Sequence, residues 1–487
     1  MKIEEVIEVA NELGYIIPTN IIGVFRNKEI EILKDELIDF LKKQNSILID
    51  KEKIIDFLKN RVIEEKEENI NSDIEVIYGT SYSSKVKGVN DFRNYLVNRY
   101  TKLHNLLIKK VGSASIPNIS TLRSQLLGKN PPKSAYVIGM IYSKKIFEEY
   151  IILEIEDTTG RITSTLYKSR NQNLYDLLTK IPLDIVVGLK ISVSKERRLF
   201  IDDIILPRQK IQTKTRNKDQ EEPIYIALIS DLHVGSKKFN SDLFDDFIDL
   251  MKGETDNEDI KNIIRRTYYV SIAGDIVDGV GVYPGQEKDL EIDNLWDQYD
   301  EAYRLLRKIP NKMTVIVIPG NHDASRNSLP QPPIFKKFAG KFYSDSRFQM
   351  LGNPANICLH GENMIVYHGD FIQDILSSTP GLDMEDIKKA SKIMVETSHL
   401  APTLTLNTKL FPEKQDWLII PPKTRFIHFG HTHKFDLANI GGIYVFNTGT
   451  FQEQTNYQKM LKIVPDLGKV VFFDIVNFKP IVVELGS

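Results

Sequence analysis

The chain holds nine histidines in 487 residues. Five of them sit in short polar clusters: Asp231-Leu232-His233, Asn321-His322-Asp323, His368 and His431-Thr432-His433, to which Asp275 adds a fifth position; His428 lies just ahead of the last cluster. The pairs Asp231/His233 and His431/His433 are spaced i, i+2, so both members of a pair can reach one ion where a strand gives way to a loop. Carboxylate, carboxamide and imidazole donors together suit Mn²⁺, Fe²⁺, Zn²⁺ or Ni²⁺ better than Ca²⁺. Asp231, His233, Asp275, Asn321, His368, His431 and His433 are more donors than one ion needs, so two ions sharing a carboxylate is the economical arrangement. Two ions ~3.5–4 Å apart supply an activated water and charge for the oxygens of a phosphoryl group in an in-line displacement. His322 is then spare, and could hand a proton to the leaving oxygen with Asp323 orienting its ring. A lone Asp-x-His or His-x-His is weak evidence; five such positions in series are not.

What positions these residues is equally regular. Each closes an apolar run: IYIALIS before Asp231, YYVSIAG before Asp275, MTVIVIPG before Asn321, NMIVY before His368 and TRFIHFG before His431. Such runs read as buried strands. They alternate with amphipathic segments at 241–251 and 296–306. The pattern predicts an α/β domain over 223–487 whose ligands sit at the carboxyl ends of its strands. Asp278, three residues after Asp275, reads as support for Asp275 or its loop, and Asn447-Thr448-Gly449-Thr450 as a structural closing turn.

Upstream, the period changes. Residues 1–70 have helical spacing, with Ile30, Leu33, Leu37 and Leu41 followed by Ile54, Ile55 and Leu58, and Thr19-Asn20 as a possible cap. They read as a small helical domain, either a partner-docking module or a solvated appendage. Residues 71–130 read as an irregular basic linker interrupted by a helix from about Asn90 to Lys110. Arg93, Arg99, Lys102, Lys109 and Lys110 of that helix, interleaved with Tyr95, Tyr100 and His104, could meet a phosphate backbone. From 131 to 208 the period is two: five strand candidates, a hairpin turn at Asp157-Thr158-Thr159-Gly160, and one helix (QNLYDLLTK) between the third and fourth. That is the pattern of an OB-fold β-barrel. Its strands offer Tyr136, Tyr142, Tyr150 and Tyr167 for stacking on nucleic acid, or the barrel serves as a packing platform. Residues 209–222 read as a linker. The fold class expected is therefore a multidomain α+β chain: helical domain, OB-fold barrel, α/β domain.

Composition bounds the rest. Hydrophobic content of 41% and charged content of 27% describe a globular protein. No apolar run approaches the ~20 residues that span a bilayer, and the acidic amphipathic start MKIEEVIEVANELG is unlike a signal peptide. No membrane partner and a cytoplasmic location are expected. The single cysteine, Cys358, rules out disulfides within the chain and any cysteine-based metal cluster. Net charge is −2, but 1–70 carries 11 Lys/Arg against 16 Asp/Glu, whereas 85–145 carries 12 Lys/Arg against Asp91 alone. Such asymmetry implies different partners for different segments.

The series DLH, GDIVD, GNHD, YHGD and GHTH, over about 224–450, resembles the calcineurin-like metallophosphoesterase superfamily. SDLHVGSKKF, AGDIVDGVGVYPGQE and PGNHDASR behind an OB-type barrel are similar to the small subunits of archaeal family-D DNA polymerases, which themselves resemble the B subunits of eukaryotic replicative polymerases. The resemblance implies a first metal held by Asp231, His233, Asp275 and His433, with Asp275 bridging to a second held by Asn321, His368 and His431. It implies His322 as the catalytic histidine, Mn²⁺ as the first choice of metal (Mg²⁺, Fe²⁺, Zn²⁺ or Ni²⁺ otherwise), a proofreading 3′→5′ exonuclease acting on DNA, and a heterodimer with a large catalytic subunit. Eukaryotic B subunits have lost metal ligands, whereas every ligand position is filled here. Arg326 and His399 are candidates for substrate phosphate contact, and His360 is not expected to bind metal. Two other readings stay open: a non-catalytic polymerase scaffold, and a phosphatase or phosphodiesterase on the same fold.

Overall fold

The computed structural model describes residues 3–18, 34–43, 46, 49–59, 73–79, 88–112, 116–208, 211, 222–404, 407–460 and 462–486. The chain divides into two compact units, 1–71 and 72–487.

In the first unit, helices Ile3–Glu12, Lys34–Lys42 and Lys51–Lys59 bury Val6, Ala10, Leu37, Leu41, Ile54 and Leu58 in one apolar cluster. These are the i, i+4 positions that helical spacing picks out. Ile30, Leu33 and the Thr19-Asn20 cap lie outside the described residues, as do 212–221 of the expected linker.

The second unit begins with a surprise. The stretch expected to be irregular forms strand β1 (Ile74–Tyr78), antiparallel to β11 (Ala355–Leu359) some 280 residues downstream. The helix Val89–Val111 follows, ended by Gly112 in the left-handed conformation. It buries Tyr95, Arg99, Leu103 and Leu107 along one face. Leu103 and Leu107 pack with Ile138, Met140 and Val186 of the barrel, while Arg99 reaches Asp416 in the α/β part. The helix is therefore an internal brace.

The barrel closes in the order β2-β3-β4-β6-β5, from β2 (Ser134–Ile146), β3 (Tyr150–Asp157), β4 (Gly160–Tyr167), β5 (Val186–Val193) and β6 (Leu199–Ile205). Alternate residues fill it, among them Ile151, Leu153 and Ile155 of β3. Asp157 sets the β3–β4 turn: its Oδ1 accepts from Thr159 N at 2.7 Å and Gly160 N at 3.0 Å. The helices Ile119–Leu127 and Gln172–Lys180 add Leu122, Leu126, Leu174 and Leu178 to the same core.

Two six-stranded sheets form the remainder. One runs β10-β9-β8-β7-β16-β17: β10 (Phe348–Met350), β9 (Thr314–Ile318), β8 (Thr267–Ala273), β7 (Tyr225–Ile229), β16 (Lys469–Asp474) and β17 (Lys479–Glu484). The other runs β1-β11-β12-β13-β15-β14, adding β12 (Glu362–Val366), β13 (Thr424–Phe429), β14 (Phe435–Ile440) and β15 (Ile443–Thr448). Strands β7, β8 and β9 are mutually parallel, as are β12, β13 and β15. Leu228, Ile316 and Phe473 of one sheet meet Met364, Phe426 and Phe446 of the other in a shared core. Helix Ser241–Met251 covers the outer face of the first sheet through Phe244 and Phe247, and Ile387–Glu396 covers the second through Ala390 and Met394. The inner strands β7, β8, β9 and β13 are buried on both faces, which is why they read as continuous apolar runs. The site strands β7, β8 and β9 end side by side in one sheet, β12 and β13 in the other.

His428 in β13 crosses this sandwich, bonding Ser271 Oγ of β8 at 2.9 Å and Thr448 Oγ1 of β15 at 3.1 Å. Burial pushes it from 6.5 down to about 3. The folded state holds it neutral while the unfolded chain protonates it below 6.5, so its contribution is fully present above that pH and is lost as pH falls toward 3. Acidification from pH 7 to 5 should cost about 2 kcal/mol through this residue. Urea denaturation of wild type and His428→Gln at both pH values measures it: the pH-dependent difference should shrink by that amount in the variant, and an unchanged difference would refute the assignment.

Candidate metal centre

Each site strand releases its polar residues two or three positions past its last residue. β7 ends at Ile229 before Asp231, β8 at Ala273 before Asp275, β9 at Ile318 before Asn321, β12 at Val366 before His368 and β13 at Phe429 before His431. Asp231, His233, Asp275, His431 and His433 all have positive φ, between 50° and 68°. Residues other than glycine rarely adopt this conformation, at a cost of order 1–3 kcal/mol each, and such strain concentrates at functional sites. It turns each side chain sharply off the strand axis.

The turns are locked by backbone bonds across the sheet. Asp231 N donates to Gly274 O (3.1 Å) and His233 N to Asp275 O (3.0 Å). The Asn447–Thr450 turn proves structural, as expected: Thr450 Oγ1 and Phe451 N both donate to Asp231 O. Three glycines immediately precede ligand candidates, and a Cβ on Gly320 would collide with the Asp275 carboxylate, on Gly430 with that of Asp231, and on Gly274 with His368 Nδ1. That close approach is the signal carried by AGD, PGN and FGH in the sequence.

All seven expected ligand residues converge. His233 Nε2 lies 3.0 Å from His433 Nε2, and His433 Nε2 lies 3.5 Å from Asp231 Oδ1. His368 Nε2 lies 3.0 Å from Asn321 Oδ1 and 3.2 Å from His431 Nδ1. Asp275 Oδ2 stands between these groups, 3.7 Å from His233 Nε2 and 3.3 Å from His368 Nε2. Two of the rings are held from behind: His233 Nδ1 lies 3.0 Å from Asp278 Oδ1, and His368 Nδ1 lies 2.8 Å from Ala273 O. With Nδ1–H spent on an oxygen, each Nε2 lone pair points inward, the arrangement by which a carboxylate or carbonyl fixes a metal-binding tautomer.

Electrostatically the cluster draws positive charge to its centre. Burial alone would raise Asp275, but the imidazoles of His368, His322 and His233 hold it well below the usual carboxylate range. Burial would lower His233, yet the carboxylates of Asp278, Asp275 and Asp231 bring it up to about 9. Buried carboxylates without compensating cations are strongly unfavourable, and four imidazoles, two carboxylates and a carboxamide form a borderline-to-hard donor set that fits a divalent metal. Buried His and Asp groups here could hold metal: Asp231, His233 and His433 in one cluster, Asp275, His368 and His431 in a second.

The remaining expectations fare differently. Asp323 does not orient His322. Its Oδ2 accepts from Gly320 N (2.9 Å) and its Oδ1 from Tyr299 OH (3.0 Å), so it fixes the loop below the site; burial, with the nearby charge of Asp275, lifts it to about 7. His322 is oriented instead by the Asp278 carbonyl, 2.7 Å from Nδ1, while its own N–H donates to Asp275 Oδ1. Asp278 thus serves His233 and His322 rather than Asp275. The sequence offered no sign of Gln452 and Gln286, which donate to its carboxylate, or of Gln458 beside His433 Nδ1.

Arg326 and His399 are not placed to touch substrate. Arg326 bonds Pro330 O and Glu413 Oε1 and stacks over Phe411; His399 is buried, with Nε2 2.8 Å from Asp416 Oδ2. His360 bonds Tyr269 OH, away from the cluster. The basic helix also departs from expectation. Arg99 is buried, Lys102 bonds Gln415 and the Asp416 carbonyl, and Lys110, though exposed like Arg93 and Lys109, bonds the Leu206 and Arg208 carbonyls. Its charge does not form an open stripe. Among the described residues no helix is long and apolar enough to cross a membrane.

Residues 226–437 match the family model of the B subunits of DNA polymerases alpha and epsilon. The DNA polymerase II small subunit of Methanothermobacter thermautotrophicus is 35% identical over 400 residues, covering 82% of this chain and 80% of that one. That of Archaeoglobus fulgidus is 32% identical over 81% of this chain and 77% of its own. That of Pyrococcus furiosus is 36% identical over 70% of this chain; the match spans only 55% of the Pyrococcus protein, about half its length. A crystal structure of the S. pombe Stn1–Ten1 complex matches 15% of this chain at 17% identity and a TM-score of 0.14, too slight a likeness to argue from. With more than four-fifths of its length aligned at 35% identity to one such subunit, this chain belongs to the family of DNA polymerase II small subunits.

Proposed function

We propose that this chain is a two-metal 3′→5′ DNA exonuclease that proofreads as the small subunit of a heterodimeric replicative polymerase, with DNA and a large catalytic subunit as its partners. On this reading the two-sheet region is a calcineurin-like metallophosphoesterase domain and the closed barrel an OB-fold. The observation that carries the reading is the convergence of seven donor residues in two groups, with the carboxylate of one of them, Asp275, between the His233/His433 and His368/Asn321 groups.

Asp231, His233, Asp275 and His433 would hold one ion, and Asp275, Asn321, His368 and His431 the other, Mn²⁺ being the first choice. When bound, such ions supply an activated water and charge for the phosphodiester oxygens. The protein contributes position: Asp231, His233, Asp275, His368 and His433 are buried, and the tautomers of His233 and His368 are fixed from behind. His322, with Nδ1 bound to the Asp278 carbonyl, presents Nε2 to the cavity that it lines with His233, Asp275 and His433. Nδ1–H is spent on that carbonyl and burial holds the ring below its ordinary pKa, so Nε2 gives a proton to the departing 3′-oxygen only from the doubly protonated ring, reached when it takes up a proton at Nε2.

The test is degradation of single-stranded and 3′-mismatched DNA by the purified protein with Mn²⁺. His322→Ala should slow it about 10²-fold or more; an unchanged rate would remove His322 from the chemistry, and no degradation by wild type, alone or with the large subunit, would leave a scaffold.

A further inference from the structure

Two cavities meet at the metal centre and share Asn321, Gln373 and His431. They differ in chemistry. The larger, about 480 Å³, contains His322 and has apolar walls from Val282, Tyr283, Met384 and Ile463. The smaller, about 240 Å³, lacks His322 and is polar, lined by Asn327, Asn407 and Lys409 together with the carboxylates of Asp370 and Asp374.

The orientation of the substrate follows from the bond that must break, and rests on the exonuclease reading above. In 3′→5′ hydrolysis a water oxygen bonds to phosphorus, the P–O3′ bond to the penultimate nucleotide breaks, and the terminal residue leaves as a 5′-mononucleotide. The departing O3′ needs a proton, and His322 lines the larger cavity to give it: with Nδ1–H held by the Asp278 carbonyl, the imidazolium form carries a second proton on Nε2, and that is the one transferred. O3′ and the strand behind it therefore lie on the His322 side, in the larger cavity, where Tyr283 and its apolar neighbours offer a stacking wall. The terminal nucleoside hangs from the same phosphorus through O5′ and occupies the other side.

The smaller cavity suits that group. It is large enough for one nucleoside. Asp374 is buried and already bonded to Asn407 Nδ2 and Thr408 N, and Asp370 to Asn353 Nδ2, so away from the metal ligands at its mouth the cavity carries two carboxylates against one lysine, Lys409, among its described lining residues. Such a balance disfavours a phosphate but accepts a neutral sugar hydroxyl. The amides of Asn327 and Gln373, neither of which bonds another of the described residues, are left for the polar edge of a base. We propose that this smaller cavity is the binding site for the 3′-terminal nucleoside, and that it fixes the polarity of degradation.

Small phosphodiesters test this with the purified full chain and Mn²⁺. Thymidine 5′-(4-nitrophenyl phosphate) places its nucleoside in the smaller cavity and its nitrophenolate leaving group on the His322 side; the 3′ isomer has the same leaving group but hangs its nucleoside from O3′, the wrong way round for that cavity. The 5′ ester should be hydrolysed with a kcat/KM about tenfold or more above the 3′ ester. Asn327→Ala should raise KM for the 5′ ester about tenfold more than for bis(4-nitrophenyl) phosphate, which carries no nucleoside. A strand ending in 4-thiothymidine, irradiated on the His322→Ala protein, should crosslink to peptides containing Asn327 or Asn407–Lys409 without any turnover. Preference for the 3′ ester, equal KM changes, or crosslinking of the terminal base to Tyr283 would overturn the assignment while leaving the exonuclease standing. If neither DNA nor any ester is hydrolysed, the exonuclease reading falls and this one with it.

Discussion

Asp231→Asn should lower exonuclease activity by about 10³-fold or more while leaving the fold and the pairing with the large subunit intact. The carboxylate is fully buried and both its oxygens accept from His431 N, at 3.1 and 2.9 Å. Asparagine keeps the size and one of these acceptors, and the bonds from the Thr450 hydroxyl and Phe451 N to the Asp231 carbonyl are untouched. What disappears is one negative charge among four imidazoles. In this low-dielectric cluster, charge stabilisation is worth several kcal/mol, and each 1.36 kcal/mol is tenfold in rate. Four measurements separate the readings. Metal content by elemental analysis and DNA degradation should both fall, whereas thermal midpoint and co-purification with the large subunit should not. Undiminished degradation would refute the metal assignment. Loss of assembly with no prior nuclease activity in wild type would identify the cluster as a structural relic of a scaffold.

How much of this was open to a reader of the sequence depends on range. The five site strands were legible because each is buried on both faces, so that apolar runs such as IALI and VIVI end abruptly in polar residues within a few positions. The barrel was legible because Asp157 and Gly160 mark a local turn between two alternating strands. Strand β1 was not. Its five residues are flanked by polar stretches, and its pairing partner β11 lies far along the chain, so no local pattern reports it. Asp323 failed for a related reason. Adjacency to His322 suggested a contact, but the turn that lets His322 N reach Asp275 sends the Asp323 carboxylate the other way, onto Gly320 N and Tyr299 OH. Left-handed turns at five ligand positions defeat any guess based on neighbours in sequence.

Arg99 shows the same limit with the largest energetic consequence. Counted as one of the cations of a basic segment, it reads as a contact for nucleic acid. In the fold it is fully buried, its Nε donating to Asp416 Oδ2 at 2.7 Å, with its other nitrogens on Pro402 O and Tyr95 OH. Asp416 Oδ2 also takes His399 Nε2, whose Nδ1 accepts from Ala401 N and so leaves the proton on Nε2. Burial, and then the charge of Arg99, push His399 down to about 4, so the ring stays neutral at pH 7. Arg99→Met keeps the stem and removes the cation bonded to the Asp416 carboxylate. Lys102, held at the Asp416 carbonyl, is then the nearest positive charge, and the buried carboxylate keeps hydrogen bonds but no counter-charge in contact. That should cost about 3–5 kcal/mol of unfolding free energy, read as a fall in the denaturant midpoint at unchanged slope. Adding Asp416→Leu should restore much of the loss, because the penalty lies in the unpaired charge rather than in the missing contact. The variant should also soften its local pH dependence. Without the charge of Arg99 the folded pKa of His399 rises from about 4 toward the unfolded value, although burial, the larger cause, still holds it down, so less stability is lost as pH falls below ~6.5. Arg99→Met should therefore be less damaging at acidic than at alkaline pH. Equal damage at both, or no gain from the second substitution, would mean that Arg99 braces the helix by packing alone.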